Sequence, residues 1–369
     1  PEWQRTVLQT VATATTDTDD EDNEALPPSQ ENIAPIEYLP RIASEEAERT
    51  LYQEAVEKGY ERIKAGKVAP FTVAGGLGTR LGFDGPKGTF PISPIRQKPL
   101  FQLFAESIVR FSEISGTAIP WYIMTSPETD APTRDFFEQH QNFGLEANQI
   151  FYMTQGELPV FDRQGNILMT AKDTVAMSPN GHGGALQAII DSGAMDDMKN
   201  RGVEEISYFQ VDNPLITVLD PLFVGLHALK NSEMSSRCII KTNPWEKMGM
   251  FCQKDGKPCI IEYSDLPKVL AEKQGYGGKL LFAAGSPAIH ILRRRFLARL
   301  DRAQFQFPYH CALKKVSCID ESGNPVTPAE ENAVKLETFI FDILPEADQP
   351  VILEADRDRE FAPVKNPDG

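Results

Sequence analysis

Residues 74–90 read AGGLGTRLGFDGPKGTF, a glycine-rich stretch carrying Arg80 and Lys87 directly after an apolar run. Glycines let backbone N–H groups approach a ligand closely and point at anionic oxygens. Arg80 offers a two-pronged fork and Lys87 a point charge, at opposite ends of the stretch. The chemistry that suits these residue types is the holding of phosphates. Two familiar phosphate loops are excluded. A Walker A loop needs G-x-x-x-x-G-K-[ST], but Lys87 follows Pro86 and no Gly-Lys pair has a glycine at the required place. A dinucleotide fingerprint needs G-x-G-x-x-G opening into a helix. Here Gly76, Gly78 and Gly82 are spaced one residue too widely, and Pro86, Gly88, Pro91 and Pro94 forbid a helix through 86–94. What remains is a long loop that wraps its ligand.

The elements around the loop are legible from periodicity. Ser44 opens a helical stretch with Glu45 and Glu46 in its first turn, an apolar stripe at Tyr52, Val56, Tyr60 and Ile63, and Gly66 after it. This helix is expected to pack on the main domain as a small N-terminal helical extension. From Val68 onward, β-rich apolar runs at 68–74, 119–126, 149–154, 206–213, 236–242 and 280–285 alternate with helical patterns at 99–115, 131–139, 185–198 and 221–230. Such alternation predicts a three-layer α/β/α sandwich on a mixed, mostly parallel sheet. Ligands of such sheets sit beyond the carboxyl ends of the strands, and the glycine-rich stretch follows the first strand.

Composition narrows the function. The 369 residues are 41% hydrophobic and 24% charged, as expected for a globular protein, with no internal repeat. No apolar run approaches the ~18 residues of a membrane span, and the first residues, PEWQRTVLQTVATATT, are not a secretory signal. A net charge of −16 argues against nucleic acid as a partner. Small phosphorylated ligands are not excluded, since local cations act within a screening length of about 8 Å. The five cysteines hold no C-x-x-C pair and are expected to be reduced, in a cytoplasmic protein. Residues 17–24, DTDDEDNE, read as a solvated linker. The expected organisation is thus an N-terminal arm at 1–40 and a catalytic domain at 41–369. The absence of a starting Met suggests a trimmed segment.

Several short motifs, in order, carry a family resemblance. GGLGTRLG with PKG, QGELP (155–159), MSPNGHGG (177–184), VDNPL (211–215), IEYSDL (261–266), KLETFIFD (335–342) and FAPVKN (361–366) are spread over residues 70–366, nearly the whole chain. The set resembles the UDP-sugar pyrophosphorylases, above all the UDP-N-acetylglucosamine pyrophosphorylase group. The resemblance implies a Rossmann-like nucleotidyltransferase domain. It implies a reaction in which UTP and N-acetylglucosamine 1-phosphate give UDP-N-acetylglucosamine and pyrophosphate with Mg²⁺. Members of the group usually continue into a C-terminal domain, which is expected either to be absent here or to lie outside this sequence.

Roles follow from the matched positions. The attacking sugar phosphate is already ionised at pH 7, so catalysis should be positioning and charge neutralisation without a general base. By resemblance Arg80 and Lys87 hold the β- and γ-phosphates, and Lys365 bridges the α-phosphate and the sugar phosphate. Asp212 resembles the Mg²⁺ ligand, although an Asp ending a strand could instead cap the turn through Asn213-Pro214. Gln155 carries a donor and an acceptor for the imide edge of uracil. Gly181 leaves room for a backbone contact, and Gly75 and Gly76 would lie against base and ribose.

The hexose half departs from the pattern. Where the acetylglucosamine enzymes show G-N-G-G, this chain has Gly181-His182-Gly183-Gly184. In FAAGSPAIH (282–290) Ser286 replaces the Asn that contacts the sugar. His182, Glu262, Tyr263 and Ser286 are the expected sugar contacts, with His182 a neutral imidazole and not a metal ligand. Glucose 1-phosphate or a range of sugars is the alternative substrate, and a non-catalytic UDP-sugar sensor the alternative of another class.

Overall fold

The strand that launches the glycine-rich loop, Val68–Val73, is buried from end to end except at its last residue. It is apolar on both faces, which is how a strand covered by helices on each side reads. The structure, a computed structural model, describes residues 32–263 and 265–366. The acidic segment at 17–24 lies outside the described residues. The described chain forms two compact units, one from 32–154, 188–305 and 343–366, the other from 155–187 and 306–342.

The larger unit is built on one mixed sheet. Its strands are β1 (Ile33–Pro35), β2 (Val68–Val73), β3 (Trp121–Thr125), β4 (Ile150–Thr154), β5 (Glu205–Gln210) and β6 (Met234–Ile240). They continue with β7 (Met250–Lys254), β8 (Lys257–Ile261), β9 (Ala284–Gly285), β10 (His290–Arg293) and β11 (Val351–Glu354). The order is β1-β7-β9-β6-β10-β5-β2-β3-β4, with β8 beside β7 and β11 beside β6. β5, β2, β3 and β4 run parallel. The chain moves from β2 to β3 on one side and returns to β5 on the other, so the carboxyl end of β2 is a topological switch point. Ile33–Pro35 lies before the boundary expected at residue 40 and pairs antiparallel with β7.

The helices of this unit are α1 (Glu46–Lys64), α2 (Leu100–Ser115), α3 (Asp130–Gln139), α5 (Ala194–Asn200), α6 (Pro221–Leu229) and α7 (Arg294–Arg302), with α4 (Ala185–Asp191) preceding α5. Aromatic contacts show a layer on each face of the sheet. Trp121 and Phe209 meet Phe101, Phe104 and Phe137 of α2 and α3. On the opposite side Phe71 stacks on Tyr208 at 5.5 Å, and the Tyr122 hydroxyl donates to Asp197 of α5 at 2.7 Å. The expected helix at 185–198 is two helices, because Gly193 takes a left-handed conformation (φ 80°) between them. The strand expected at 280–285 shrinks to Ala284–Gly285.

The smaller unit carries a three-stranded antiparallel sheet of Phe161–Asp162, Ala333–Glu337 and His310–Lys314. Its apolar interior centres on Phe161, Val334 and Leu336. Two-stranded ribbons join Glu157–Pro159 to Met177–Pro179 and Met169–Ala171 to Thr174–Val175.

In the larger unit α1 crosses α6 backbone to backbone. A methyl group on Gly225 would lie 1.6 Å from the Ala55 carbonyl oxygen, and one on Gly59 would lie 1.8 Å from that of Pro221. No side-chain adjustment relieves a clash with a carbonyl. Gly225→Ala is therefore expected to destabilise the protein by about 3 kcal/mol, read as a lower urea midpoint. An unchanged midpoint would contradict the contact.

Candidate active site

β2 and β5 end side by side, since Val73 pairs with Gln210 and Val211 N–H donates to the Val73 carbonyl at 3.0 Å. The loop leaving β2 and the Asp212 segment leaving β5 therefore start from neighbouring points. The loop doubles back on itself. Gly78 N–H donates to Gly85 O and Lys87 N–H to Gly76 O, both at 2.9 Å. Gly82 takes a left-handed conformation (φ 67°) at the turn. Gly88 has a different task, since a methyl group there would lie 2.1 Å from the Phe101 ring of α2. Gly76 is exposed and faces open space, and Gly75 beside it is partly buried.

Arg80, Lys87, Asp212 and Lys365 come together electrostatically. Lys87 is partly buried, and that burial lowers its pKa. Asp212 pulls the value back up, while Lys365 and Arg80 push it down further. Lys365 arrives from the far end of the chain because Val364 N–H donates to the Asp212 carbonyl at 2.8 Å. Among the described residues, none of these four side chains makes a hydrogen bond or ion pair. Arg62, Arg237 and Arg357 are by contrast each tied to carboxylates. Charged groups left unpaired in a cluster are suited to a ligand of mixed charge, such as a phosphate chain with its cation.

The alternative task considered for Asp212 falls to its neighbour. Asn213 Oδ1 accepts from Leu215 N–H at 3.3 Å and caps the turn. Among the described residues, the Asp212 carboxylate, in a residue only 9% exposed, has no hydrogen-bond or ion-pair partner. Among the described residues no group of three or more His, Cys, Asp or Glu could hold a metal by itself. A lone carboxylate fits a hard divalent cation whose other positions are filled by phosphate oxygens and water.

Two of the expected sugar contacts meet around Gly249 in the same unit. Ser286 N–H donates to the Gly249 carbonyl at 2.8 Å, and Glu262 Oε1 stands 3.0 Å from where a Gly249 methyl would be. Gly249 itself was not singled out from the sequence. Its place before the strand pattern MFCQK, which pairs with the KPCII strand through an Asp255-Gly256 turn, was the available signal. The Ser286 hydroxyl accepts from Ala288 N–H at 3.3 Å. Tyr263 is 47% exposed.

In the smaller unit, the structure joins Gln155 and Gly181. Gln155 is buried and its Nε2 donates to the Gly181 carbonyl at 2.6 Å. Gly181 has φ 81°, and a methyl group there would lie 2.3 Å from the Thr338 carbonyl oxygen. Asn180 O accepts from both Thr338 N–H and its hydroxyl, each at 2.8 Å. His182 is held by aromatic neighbours. Its ring stacks on Phe339 at 5.0 Å and lies 5.6 Å from Phe341. Ile340 N–H donates to Nδ1 at 3.2 Å, which places the ring proton of neutral His182 on Nε2. Burial, assisted by the nearby His310, holds the His182 pKa down to about 3.

A glycine-rich loop at the switch point of a helix-covered α/β sheet, with cations and a carboxylate around it, defines the nucleotidyltransferase fold class. The chain belongs to the UTP–glucose-1-phosphate uridylyltransferase family, which it matches over residues 5–368. It is 39% identical over 320 residues to the UDP-N-acetylhexosamine pyrophosphorylase-like protein 1 of Mus musculus, covering 85% of this chain and 63% of that protein. The UDP-N-acetylglucosamine pyrophosphorylase of Saccharomyces cerevisiae is 36% identical over 345 residues, 91% of this chain and 72% of the yeast protein. The crystal structure of the uridine diphosphate N-acetylglucosamine pyrophosphorylase from Trypanosoma brucei in complex with inhibitor aligns with a TM-score of 0.82 at 26% identity. That alignment covers 100% of this chain and 73% of the other. The chain thus spans less than two thirds of the length of the mouse relative. No helix among the described residues is long and apolar enough to cross a membrane.

His182 makes the stability of the fold depend on acid. Its pKa is depressed from 6.5 to about 3 on folding, so the unfolded chain binds the proton first as pH falls. The associated stability is complete above about pH 6.5 and is lost progressively toward pH 3. His182→Gln keeps an acceptor for Ile340 N–H but cannot ionise, so its thermal midpoint should fall less between pH 6.5 and 4. An equally steep fall would assign the acid sensitivity elsewhere.

Proposed function

We propose that the chain carries a Mg²⁺-dependent uridylyltransferase activity, forming UDP-N-acetylglucosamine and pyrophosphate from UTP and N-acetylglucosamine 1-phosphate. The observation that carries this reading is the unpaired group of Arg80, Lys87, Asp212 and Lys365 at the carboxyl ends of β2 and β5. A binding-only sensor has no need of all four. In the reaction an oxygen of the sugar phosphate forms a bond to the α-phosphorus of UTP. The bond from that phosphorus to the bridging oxygen breaks, and its electron pair leaves with pyrophosphate.

No side chain has to take a proton. Arg80 and Lys87 hold the β- and γ-phosphates and meet the charge that grows on the leaving group. Burial lowers the pKa of Lys87, and a phosphate ligand beside it would raise it again. Lys365 holds the α-phosphate and the sugar phosphate in line, the positioning that lowers the barrier. Asp212 would hold the Mg²⁺, which supplies charge neutralisation at phosphate oxygens when bound. Gln155 and Gly181 read the uracil edge, with Gly75 and Gly76 against base and ribose.

For the hexose, Glu262, Tyr263 and Ser286 are the proposed contacts. The His182 geometry supports a shaping role for the glycine segment, since Nδ1 is occupied by Ile340. The kinship with the yeast and trypanosome UDP-N-acetylglucosamine pyrophosphorylases favours the N-acetylamino sugar. Ser286, shorter than an amide and offering one donor, supports a less selective pocket or glucose 1-phosphate as the second reading. The described cysteines are all free, which supports a reducing compartment such as the cytoplasm.

Pyrophosphate release from UTP with a panel of sugar 1-phosphates tests the reading. Release should be fastest with N-acetylglucosamine 1-phosphate. Release with glucose 1-phosphate alone would reverse the sugar assignment, and none with any sugar would leave only a binding protein. Arg80→Ala and Lys365→Ala should each lower kcat by about 10²-fold or more; wild-type turnover in either removes that residue from the mechanism. Gln155→Ala should raise the KM for UTP with a smaller effect on kcat, and an unchanged KM would take Gln155 out of the uracil site.

A further inference from the structure

Lys365 lies near the end of the described chain, outside any helix or strand, and its residue is exposed. A group that has to align two phosphates cannot be left to such a segment unless something fixes the backbone before it. The fixing contacts are concentrated on one buried amide. Asn213, 4% exposed, donates from Nδ2 to the Glu360 carbonyl at 2.7 Å. Its Oδ1 accepts from Ala362 N–H at 3.1 Å. The next tie, two residues on, is Val364 N–H to the Asp212 carbonyl. Residues 360, 362 and 364 are thus held in alternation, as along a strand edge, and Lys365 is the next residue out.

We infer that Asn213 is a positioning residue for the proposed transfer, strapping the 360–364 segment to the end of β5 so that Lys365 stands beside Asp212. The inference rests on the role given to Lys365 above. Only a primary amide supplies both halves of the strap, since it donates and accepts from adjacent atoms. Asp at 213 keeps the acceptor for Ala362 but sets an oxygen against the Glu360 carbonyl. Leu keeps neither. A second anchor supports the same segment from behind. Arg237, with 5% of its side chain exposed, bridges the Glu360 carboxylate at 3.1 Å to Asp220, the residue that caps α6. Arg357 reaches Glu246 and the Ile240 carbonyl on the other side. These two ties hold the segment's start, whereas among the described residues the hydrogen bonds of the stretch from Ala362 to Lys365 go to Asn213 and Asp212.

The test compares Asn213→Ala, Asn213→Asp, Lys365→Ala and the Asn213→Ala/Lys365→Ala double variant in the full chain. Two readouts are taken: pyrophosphate-release kinetics with UTP and N-acetylglucosamine 1-phosphate, and amide hydrogen exchange. Asn213→Ala should lower kcat by about 10²-fold, the scale of a small misplacement of a reacting group, with the UTP KM within about twofold. It should add nothing to Lys365→Ala, because its effect passes through that lysine. Exchange should speed up at Ala362 and Val364 while amides of Val68–Val73 stay protected. Asn213→Asp, which loses the donor to Glu360, should also lower kcat and speed exchange at Ala362 and Val364, and it decides the matter if Asn213→Ala does not fold. Unchanged exchange at Ala362 and Val364, or a loss that adds in full to that of Lys365→Ala, would overturn the inference. If Lys365→Ala kept wild-type turnover, the role of Lys365 and its delivery by Asn213 would both fall. If no sugar supported turnover, the exchange readout would still decide whether Asn213 holds the strap.

Discussion

The hydrogen bond from Val211 N–H to the Val73 carbonyl closes the parallel ladder between β2 and β5, and the placing of Asp212 next to the glycine-rich loop depends on that register. A strand's side chains alternate between faces, so a slip of one residue would turn Asp212 away and present its neighbour instead. The register is enforced by burial, with Phe71 stacked on Tyr208 on one face and Phe209 against Phe104 on the other. Core packing, not polar contact, thus fixes where the carboxylate and the loop emerge.

A protein of net charge −16 keeps Arg80, Lys87 and Lys365 close together without a carboxylate partner for each. Like charges in proximity raise the energy of the unliganded state. The glycine loop accepts this because its fold is held by backbone bonds and by Gly88 packed on Phe101, not by its charged side chains. The cations are then free to meet a polyanion. The same separation of labour appears in the smaller unit, where Asn180, Gly181 and Thr338 hold backbone to backbone around Gln155.

Much of this was legible in the sequence. The apolar runs at 68–74, 119–126, 149–154 and 206–213 became parallel strands ending at Val73, Thr125, Thr154 and Gln210, and the loop fell beyond the first of them as switch-point logic requires. Long periodic helices such as Leu100–Ser115 were plain for the same reason. What escaped notice has tertiary causes. The strands Phe161–Asp162 and Ala333–Glu337 are short and pair across a long stretch of chain, so local pattern carries little of them. The surroundings of His182 come from Phe339 and Phe341, which no spacing around residue 182 announces. Gly59 and Gly225 are poor helix formers by local propensity, and only the crossing of α1 on α6 explains them. Asn213 stood inside a quoted motif, but its partners at 360 and 362 could not be seen from either end.

The smaller unit is assembled from two pieces of chain, 155–187 and 306–342. Asn180 and Thr338, whose bonds fix Gly181, are 158 residues apart in sequence. A ribosome adding about 5–20 residues per second would deliver Thr338 on the order of ten seconds after Asn180. During that interval the strand Phe161–Asp162 has no partner, and His182 has neither Phe339 nor Phe341 to stack on. The segment proposed to read uracil is therefore among the last parts of the protein to mature, and a chain interrupted before residue 338 would leave it unformed.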